Sequence, residues 1–389
     1  MEAEDLAKMS RRYALQLISF GYHGSMDANS GKRVLMAMSG GVDSSVAALV
    51  LRDGGYEVEG VTMKLFDNAD ANLDSEKSCC SLKDAEDARQ VCLDLGIPHI
   101  VYNLSHAFIH DVMDRFCNGY LSGTTPNPCI DCNRYIKFGA LQQRRRDLGF
   151  DFVATGHYAR RVQNQETGRY ELLRGRDAAK DQSYFLFHLD QDTLAHMLFP
   201  LCDLDKAQVR ELAASHGFAN AEKAESQDIC FVPDGDYASF IEARTGCAFE
   251  PGDIVNREGK VLGQHEGLVH YTIGQRKGIG VAVGEPLYVF AKDVEKNQLV
   301  VGTDAETLCC AIEVDDVNFI ARPSLLEPAH LSVKAHYRQR ARTAQVQQTD
   351  DRRIHIAFDE PQRACAPGQA AVVYDGDRVV CGGTIVQSL

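Results

Sequence analysis

Seven residues near the start of the chain, Ser39-Gly40-Gly41-Val42-Asp43-Ser44-Ser45, combine two glycines, three hydroxyls and a carboxylate. They follow a short apolar run over residues 33–38 that reads as a buried strand, and they precede Val46–Arg52, which reads as a helix ending at Gly54-Gly55. Glycine lets the backbone approach an anion closely. A helix start offers free amides and a partial positive charge. The serines add donors, so the passage reads as a phosphate cradle rather than a simple capped turn. It is not the P-loop of phosphoryl-transfer enzymes, because no Gly-Lys-Ser/Thr follows. A carboxylate such as Asp43 repels phosphate unless a cation bridges the two, which points to magnesium.

A second chemical signal lies in the cysteines. Thr125-Pro126-Asn127-Pro128-Cys129-Ile130-Asp131-Cys132-Asn133 carries two prolines, which stiffen the backbone and remove donors. Such a loop holds a thiol in place. Cys129 and Cys132 form a C-x-x-C, but a structural zinc wants a second such pair, and the other close cysteines are adjacent residues, Cys79-Cys80 and Cys309-Cys310. Cys230 sits in Glu225-Ser226-Gln227-Asp228-Ile229-Cys230-Phe231, beside hydroxyl, amide and carboxylate groups. Cys92, Cys117, Cys202, Cys247, Cys365 and Cys381 read as inert buried thiols.

Holding these groups together requires a scaffold. Val58–Met63 and Pro98–Tyr102 are strand-like, residues 83–95 have helical spacing, Phe138–Leu148 reads as a helix, and Phe152–Thr155 reads as a strand. Strand alternating with helix implies an α/β fold with a parallel sheet covered on both faces. Ligands then bind at the carboxyl ends of the strands, where Ser39–Ser45, Met63 and Gly156-His157 all fall. After about residue 235 the texture changes to glycine turns and short alternating runs, including Leu287–Phe290, Gln298–Gly302, Leu331–Tyr337, Arg353–Phe358, Ala370–Tyr374 and Gly382–Val386. Asp375-Gly376 reads as a hairpin turn. The expected organisation is a 1–30 extension, a 31–235 catalytic domain, a 236–303 central β-rich domain and a 304–389 β-barrel.

Composition sets limits on function. The 389 residues exceed one ordinary core. The 13 cysteines, with no export signal near the start, imply a reducing, cytoplasmic setting rather than a disulfide framework. Met9 and Met26 are alternative starts. A membrane partner is not expected, because no apolar run is long enough to span one. The net charge of −14 excludes non-specific coating of nucleic acid, while leaving room for a one-sided basic patch. Basic residues gather at Arg174, Arg176 and Lys180, at Arg276-Lys277, and at Arg338, Arg340 and Arg342; Arg144–Arg146 reads as a solvated face.

Taken together, Ala37–Ser45, Thr125–Asn133, Ala154–Tyr158, Lys180–Phe185, Ser226–Phe231 and Gly274–Gly278 resemble the motifs of the bacterial tRNA-specific 2-thiouridylases, members of the PP-loop ATP pyrophosphatases. The resemblance runs from about residue 31 to the end. It implies adenylation of the 2-carbonyl of a wobble uridine in tRNAs for Lys, Glu and Gln, followed by replacement of the oxygen with sulfur. It makes Cys230 the persulfide carrier and Cys132 the nucleophile that closes a disulfide with it. It places ATP, with Mg2+, on Ala37, Met38, Ser39, Gly40, Gly41, Val42, Asp43, Ser44, Met63 and Gly156. It places tRNA on Asn127, Pro128, Cys129, His157, Lys180, Asp181, Gln182, Tyr337, Arg338 and Gln369, with the uridine flipped from its stack. A sulfur-donor protein of the cysteine desulfurase relay is the implied second partner. One position departs from the best-known members, which carry an aspartate where this chain has Cys129. Cys129, Cys132 and Cys230 are thus an alternative ligand set for an iron–sulfur cluster with one open position. Another PP-loop enzyme, or a non-catalytic RNA-binding protein on the same fold, are the rival readings.

Overall fold

The computed structural model describes residues 29–67, 82–224, 229–363 and 365–389. The 1–28 part of the expected extension, Cys79-Cys80 and Glu225–Asp228 lie outside the described residues. β1 (Arg33–Ala37) is apolar after its first residue because both its faces are covered. Val34 and Met36 point to one core, with Val46, Leu49 and Val50 of α1 (Val42–Asp53) and Ala88, Val91 and Leu95 of α2 (Leu82–Leu95). Leu35 and Ala37 point to the other, with Phe138, Leu141, Tyr184 and Phe187. The period-2 alternation of one strand therefore serves two cores.

Around β1 are β2 (Glu57–Lys64), β3 (His99–Asn103), β4 (Phe152–Ala154) and, after the hairpin β5 (Ala159–Gln163) and β6 (Tyr170–Arg174), β7 (Met197–Leu198). The sheet order is β3-β2-β1-β4-β7, and every pairing is parallel. This is the expected parallel sheet, with the cradle leaving the carboxyl end of its central strand.

The segment expected as a helix from Phe138 begins earlier. A turn of α-helix at Pro128–Asp131 continues as a π-helix over Cys132–Ala140 and then as α3 (Leu141–Leu148), which stops at the left-handed Gly149 (φ 68°). Pro128 occupies the first helical position, where a missing N–H costs nothing. Of the two prolines that suggested a rigid loop, Pro126 lies in irregular chain while Pro128 starts a helix. Arg145 is buried, with Nε donating to Gln142 Oε1 (2.6 Å), so Arg144–Arg146 is not wholly solvated. α4 (Lys206–Ser215) carries a capping box between Asp205 and Gln208, and α5 (Tyr237–Thr245) follows.

Beyond it, β8 (Gly252–Asn256), β9 (Val261–His265), β10 (Tyr288–Asp293) and β11 (Gln298–Gly302) form a small sheet in the order β10-β11-β8-β9. The last six strands are β12 (Leu308–Phe319), β13 (Ala329–Lys334), β14 (Arg342–Asp350), β15 (Arg353–Arg363), β16 (Ala370–Asp375) and β17 (Arg378–Ser388). They pair antiparallel in the order β12-β15-β14-β13-β16-β17, and pairing of β12 with β17 closes them into a barrel with no open edge. Asp375-Gly376 makes the expected tight turn, with Asp375 opposite Arg378. The barrel does not stand apart. Ala370, Val372, Tyr374 and Val379 belong to the same core as Leu35, Val61 and Val153 of the parallel sheet, and β6 pairs with β17. Among the described residues no helix is long and apolar enough to cross a membrane.

Gly382 marks the closest approach in this shared core: a Cβ there would lie 2.6 Å from Phe187 Cγ, and Phe187 is buried. Gly382→Ala is expected to destabilise the protein by about 1–3 kcal/mol through overpacking. Thermal or denaturant unfolding should show the loss.

Candidate active site

The cradle is built by close backbone contacts. Gly40 holds φ at 72°, and a Cβ on it would lie 2.3 Å from the carbonyl oxygen of Asp84. Any other residue there is excluded twice over, by conformation and by space. Gly41 is the N-cap of α1 and supplies no side-chain cap, so the first-turn amides face outward with the helix dipole behind them. The serines shape the loop: Ser44 Oγ donates to Gly41 O (2.9 Å), Ser45 Oγ donates to the same carbonyl (3.1 Å), and Ser39 N donates to Ser44 Oγ (3.2 Å). Gly156 packs against this loop. A Cβ on it would lie 2.9 Å from Asp43 C and Ser44 N. Met63 lies two residues beyond Val61, the register partner of Ala37, and packs half-buried against the cores on both sides.

The charges around the cradle come from far along the chain, and the sequence did not reveal them. Asp43 takes both carboxylate contacts from Lys206 Nζ (2.7 and 2.8 Å) and a hydrogen bond from Tyr158 Oη (2.7 Å). An ammonium thus occupies the role expected of magnesium in balancing Asp43. Asn220 Nδ2 donates to Gly40 O (3.0 Å) and Ser45 Oγ (2.9 Å). Lys223 Nζ reaches Gly40 O (3.2 Å), Asp84 (2.5 Å) and Asp87 (2.6 Å). Burial opposes the Lys223 charge, but its hydrogen bonds to Asp84 and Asp87 outweigh that and raise its pKa. Neither lysine lies in a glycine motif, and the only local signal was the helix start at Asp205.

Cys132 and Cys230, distant in sequence, lie in one apolar cluster with Met63, Phe66, Phe108 and Phe231. Cys132 is buried and Cys230 half-buried, while Cys129, one turn before Cys132, is exposed. Among the described residues no three His, Cys, Asp or Glu side chains gather to hold a metal ion. Asp131, next to Cys132, is pushed up to about pKa 6 by burial, against the charges of Arg115 and Arg134. Of the thiols read as inert, Cys92, Cys117, Cys202, Cys365 and Cys381 are buried; Cys247 is exposed. Burial raises Cys92 and Cys381 to about 12 and Cys117 to about 11.

The residues expected at tRNA divide into exposed and anchored groups. Arg338 is exposed. Tyr337 packs on Phe185 with ring centroids 4.4 Å apart, and Lys334 Nζ sits 5.0 Å from its ring. Asn127 is half-buried, Pro128 buried and Lys180 half-buried. Asp181 turns inward, accepting from Ser183 N (3.1 Å), Ser183 Oγ (3.0 Å) and Gly175 N (3.3 Å). Gln182 Oε1 accepts from Tyr158 N (3.0 Å), which ties that turn to the Asp43 cluster. Gln369 is buried and donates from Nε2 to Thr125 O (2.9 Å), pinning the cysteine loop to the barrel. His157 Nδ1 lies 2.8 Å from Thr155 Oγ1, and burial together with the nearby charge of Lys137 keeps its pKa well below the usual histidine value.

A parallel sheet whose central strand feeds an uncapped glycine turn, joined to a closed barrel, defines a PP-loop type of α/β protein. Three family models together match most of the chain. The model described as the tRNA methyl transferase HUP domain matches residues 32–234, the tRNA methyl transferase PRC-barrel domain matches 238–303, and the aminomethyltransferase beta-barrel domain matches 310–385. The chain is 50% identical to the tRNA-specific 2-thiouridylase MnmA of Moorella thermoacetica over 351 residues, covering 90% of this chain and 98% of that one. It is 46% identical to that of Carboxydothermus hydrogenoformans, with 94% and 100% covered, and 47% identical to that of Symbiobacterium thermophilum, with 92% and 93% covered. The chain belongs to the tRNA-specific 2-thiouridylase family.

Removing Lys206 leaves Asp43 uncompensated beside the cradle. Lys206→Ala is expected to weaken nucleotide binding by about 2 kcal/mol or more, a factor of roughly 30, while Lys206→Arg retains most of it. Calorimetric titration with a non-hydrolysable ATP analogue reads the difference.

Proposed function

We propose that this protein adenylates the 2-carbonyl oxygen of the wobble uridine in tRNAs for Lys, Glu and Gln, and replaces that oxygen with sulfur carried as a persulfide on Cys230. The observation that carries this reading is the packing of Cys132 and Cys230 in one cluster with Met63, beside the cradle at the carboxyl edge of the sheet. The uridine oxygen attacks the α-phosphorus of ATP, and pyrophosphate departs. The outer sulfur of the Cys230 persulfide bonds to the activated carbon. Cys132 thiolate attacks the inner sulfur, breaking the S–S bond and leaving its electron pair on the transferred sulfur. AMP leaves with the oxygen, and the Cys132–Cys230 disulfide awaits reduction by an external thiol.

The phosphates of ATP would rest on the first-turn amides of α1 and the hydroxyls of Ser39 and Ser44. Asp43 is the one carboxylate of the cradle. Magnesium bound to ATP commonly takes one or two carboxylates besides phosphate oxygens, so Asp43 fits it if Lys206 turns from the carboxylate to the phosphates. Such an ion would neutralise phosphate charge. Gly156 lets the turn after β4 pack directly on the backbone of that loop. Arg338, Tyr337 and Lys180 supply the tRNA face, with Asn127–Cys129 near the flipped base. A sulfur-donor protein reloads Cys230, whose partial exposure suits such an exchange. The spans of the three family models support a division at about residues 235 and 303.

Anaerobic purification, iron quantitation and a thiolation assay test the sulfur route. Cys132→Ser and Cys230→Ser should abolish 2-thiouridine formation, whereas iron-free Cys129→Ala should keep substantial activity. An obligatory stoichiometric iron content would replace the persulfide route with the cluster. Arg338→Ala should lower tRNA affinity and reduce the salt slope by about one. An affinity independent of salt would remove the basic face from the reading.

A further inference from the structure

The barrel strand β12 loses register between Asp315 and Asn318, and within that irregularity Asp316 takes φ 53°. Aspartate tolerates the left-handed region better than most residues, yet the conformation is uncommon and tends to persist where the surroundings require it. What the irregularity holds is the helix of Cys132. The Asp316 carboxylate pairs with both terminal nitrogens of Arg134 and also with Arg352. Arg134 is two residues beyond Cys132 on the same π-helix. Asn318 Nδ2 donates to Phe187 O (2.8 Å) and Leu189 O (2.9 Å), the carbonyls on either side of His188. The same segment receives Asn133 Nδ2 at Phe185 O (3.2 Å), and Asn133 directly follows Cys132. His188 completes the contact by packing its ring on Phe138, with centroids 6.0 Å apart. Burial and the charge of Arg134 bring its pKa down to about 3.

We propose that Asp316 and Asn318 are positioning residues for Cys132, through which the C-terminal barrel sets the placement of the thiol. This rests on the reading of Cys132 as the reacting thiol. One arm runs from Asp316 to Arg134, the other from Asn318 through residues 185–189 to Asn133. Both reach the first turn of the π-helical stretch that begins at Cys132. The Arg134–Asp316 pair is about one-third exposed on each side, so it contributes little to global stability. Its effect is on where the helix sits. A thiol misplaced by an ångström loses much of the advantage of proximity.

Asp316→Asn keeps a side chain that accepts the left-handed backbone and removes only the charge. At saturating tRNA and ATP it should slow single-turnover sulfur transfer about tenfold, with tRNA Kd and the rate of pyrophosphate formation within about twofold of the parent. Peptide-resolved mass spectrometry should show the rate of Cys132 alkylation altered by at least about threefold, and Arg134→Ala added to Asp316→Asn should cost little more than either alone. Asn318→Ala tests the second arm and should give the same pattern with an unchanged melting temperature. Parental Cys132 labelling and parental transfer in both variants would overturn the proposal. So would a rate loss accounted for entirely by weaker tRNA binding. Full thiolation by Cys132→Ser would instead remove the reading of Cys132 as reactive, while the labelling data would still report whether the barrel positions it.

Discussion

The first turn of α1 is left without a side-chain cap, and much of the molecule is arranged around that deficit. An exposed set of amides at a helix start is an anion site only if the approaching backbone is bare of side chains and nearby charges are balanced. Gly40 and Gly156 meet the first condition, because a Cβ on either would strike backbone atoms. Lys206, Tyr158 and Lys223 meet the second. The cation nearest Asp43 comes from the start of α4 and the hydroxyl from the turn after β4, so the cradle is a product of the whole α/β domain.

The same economy appears in the cores. β1 is buried on both faces, and its alternate side chains divide between two clusters. One of these continues into the barrel through Ala370, Val372 and Tyr374. A barrel that shares its apolar core with the parallel sheet is less free to move as a separate body than one joined by a linker. The polar ties reinforce this: Gln369 to Thr125, Tyr184 Oη to Ala370 O (2.9 Å), and Asn318 to the 187–189 backbone. The cysteine-bearing helix lies where these ties converge.

The cysteines themselves illustrate how environment separates residues of one type. Cys92 and Cys381 are small apolar fillers whose thiols burial holds far above neutral pH. Cys132 and Cys230 are also packed among apolar side chains, Cys132 buried and Cys230 half-buried. Cys129, one turn before Cys132, is exposed.

Local physics made much of this legible in the sequence. Apolar runs bounded by glycine announced the parallel strands, the glycine–serine turn announced the start of the helix after it, and the Asp375-Gly376 turn announced a hairpin. Those features depend on neighbours a few residues away, so one chain segment contains the whole cause. The helix beginning at Pro128 was hidden because a proline at a first helical turn looks the same, in sequence, as a proline in a rigid loop. The Asp43–Lys206 pair, the inward turn of Asp181 and the grip of Asp316 on Arg134 could not be read at all. Each joins a charge or hydrogen bond to a partner whose position only the folded chain decides, and Coulomb's law acts on distance in space rather than on separation along the sequence.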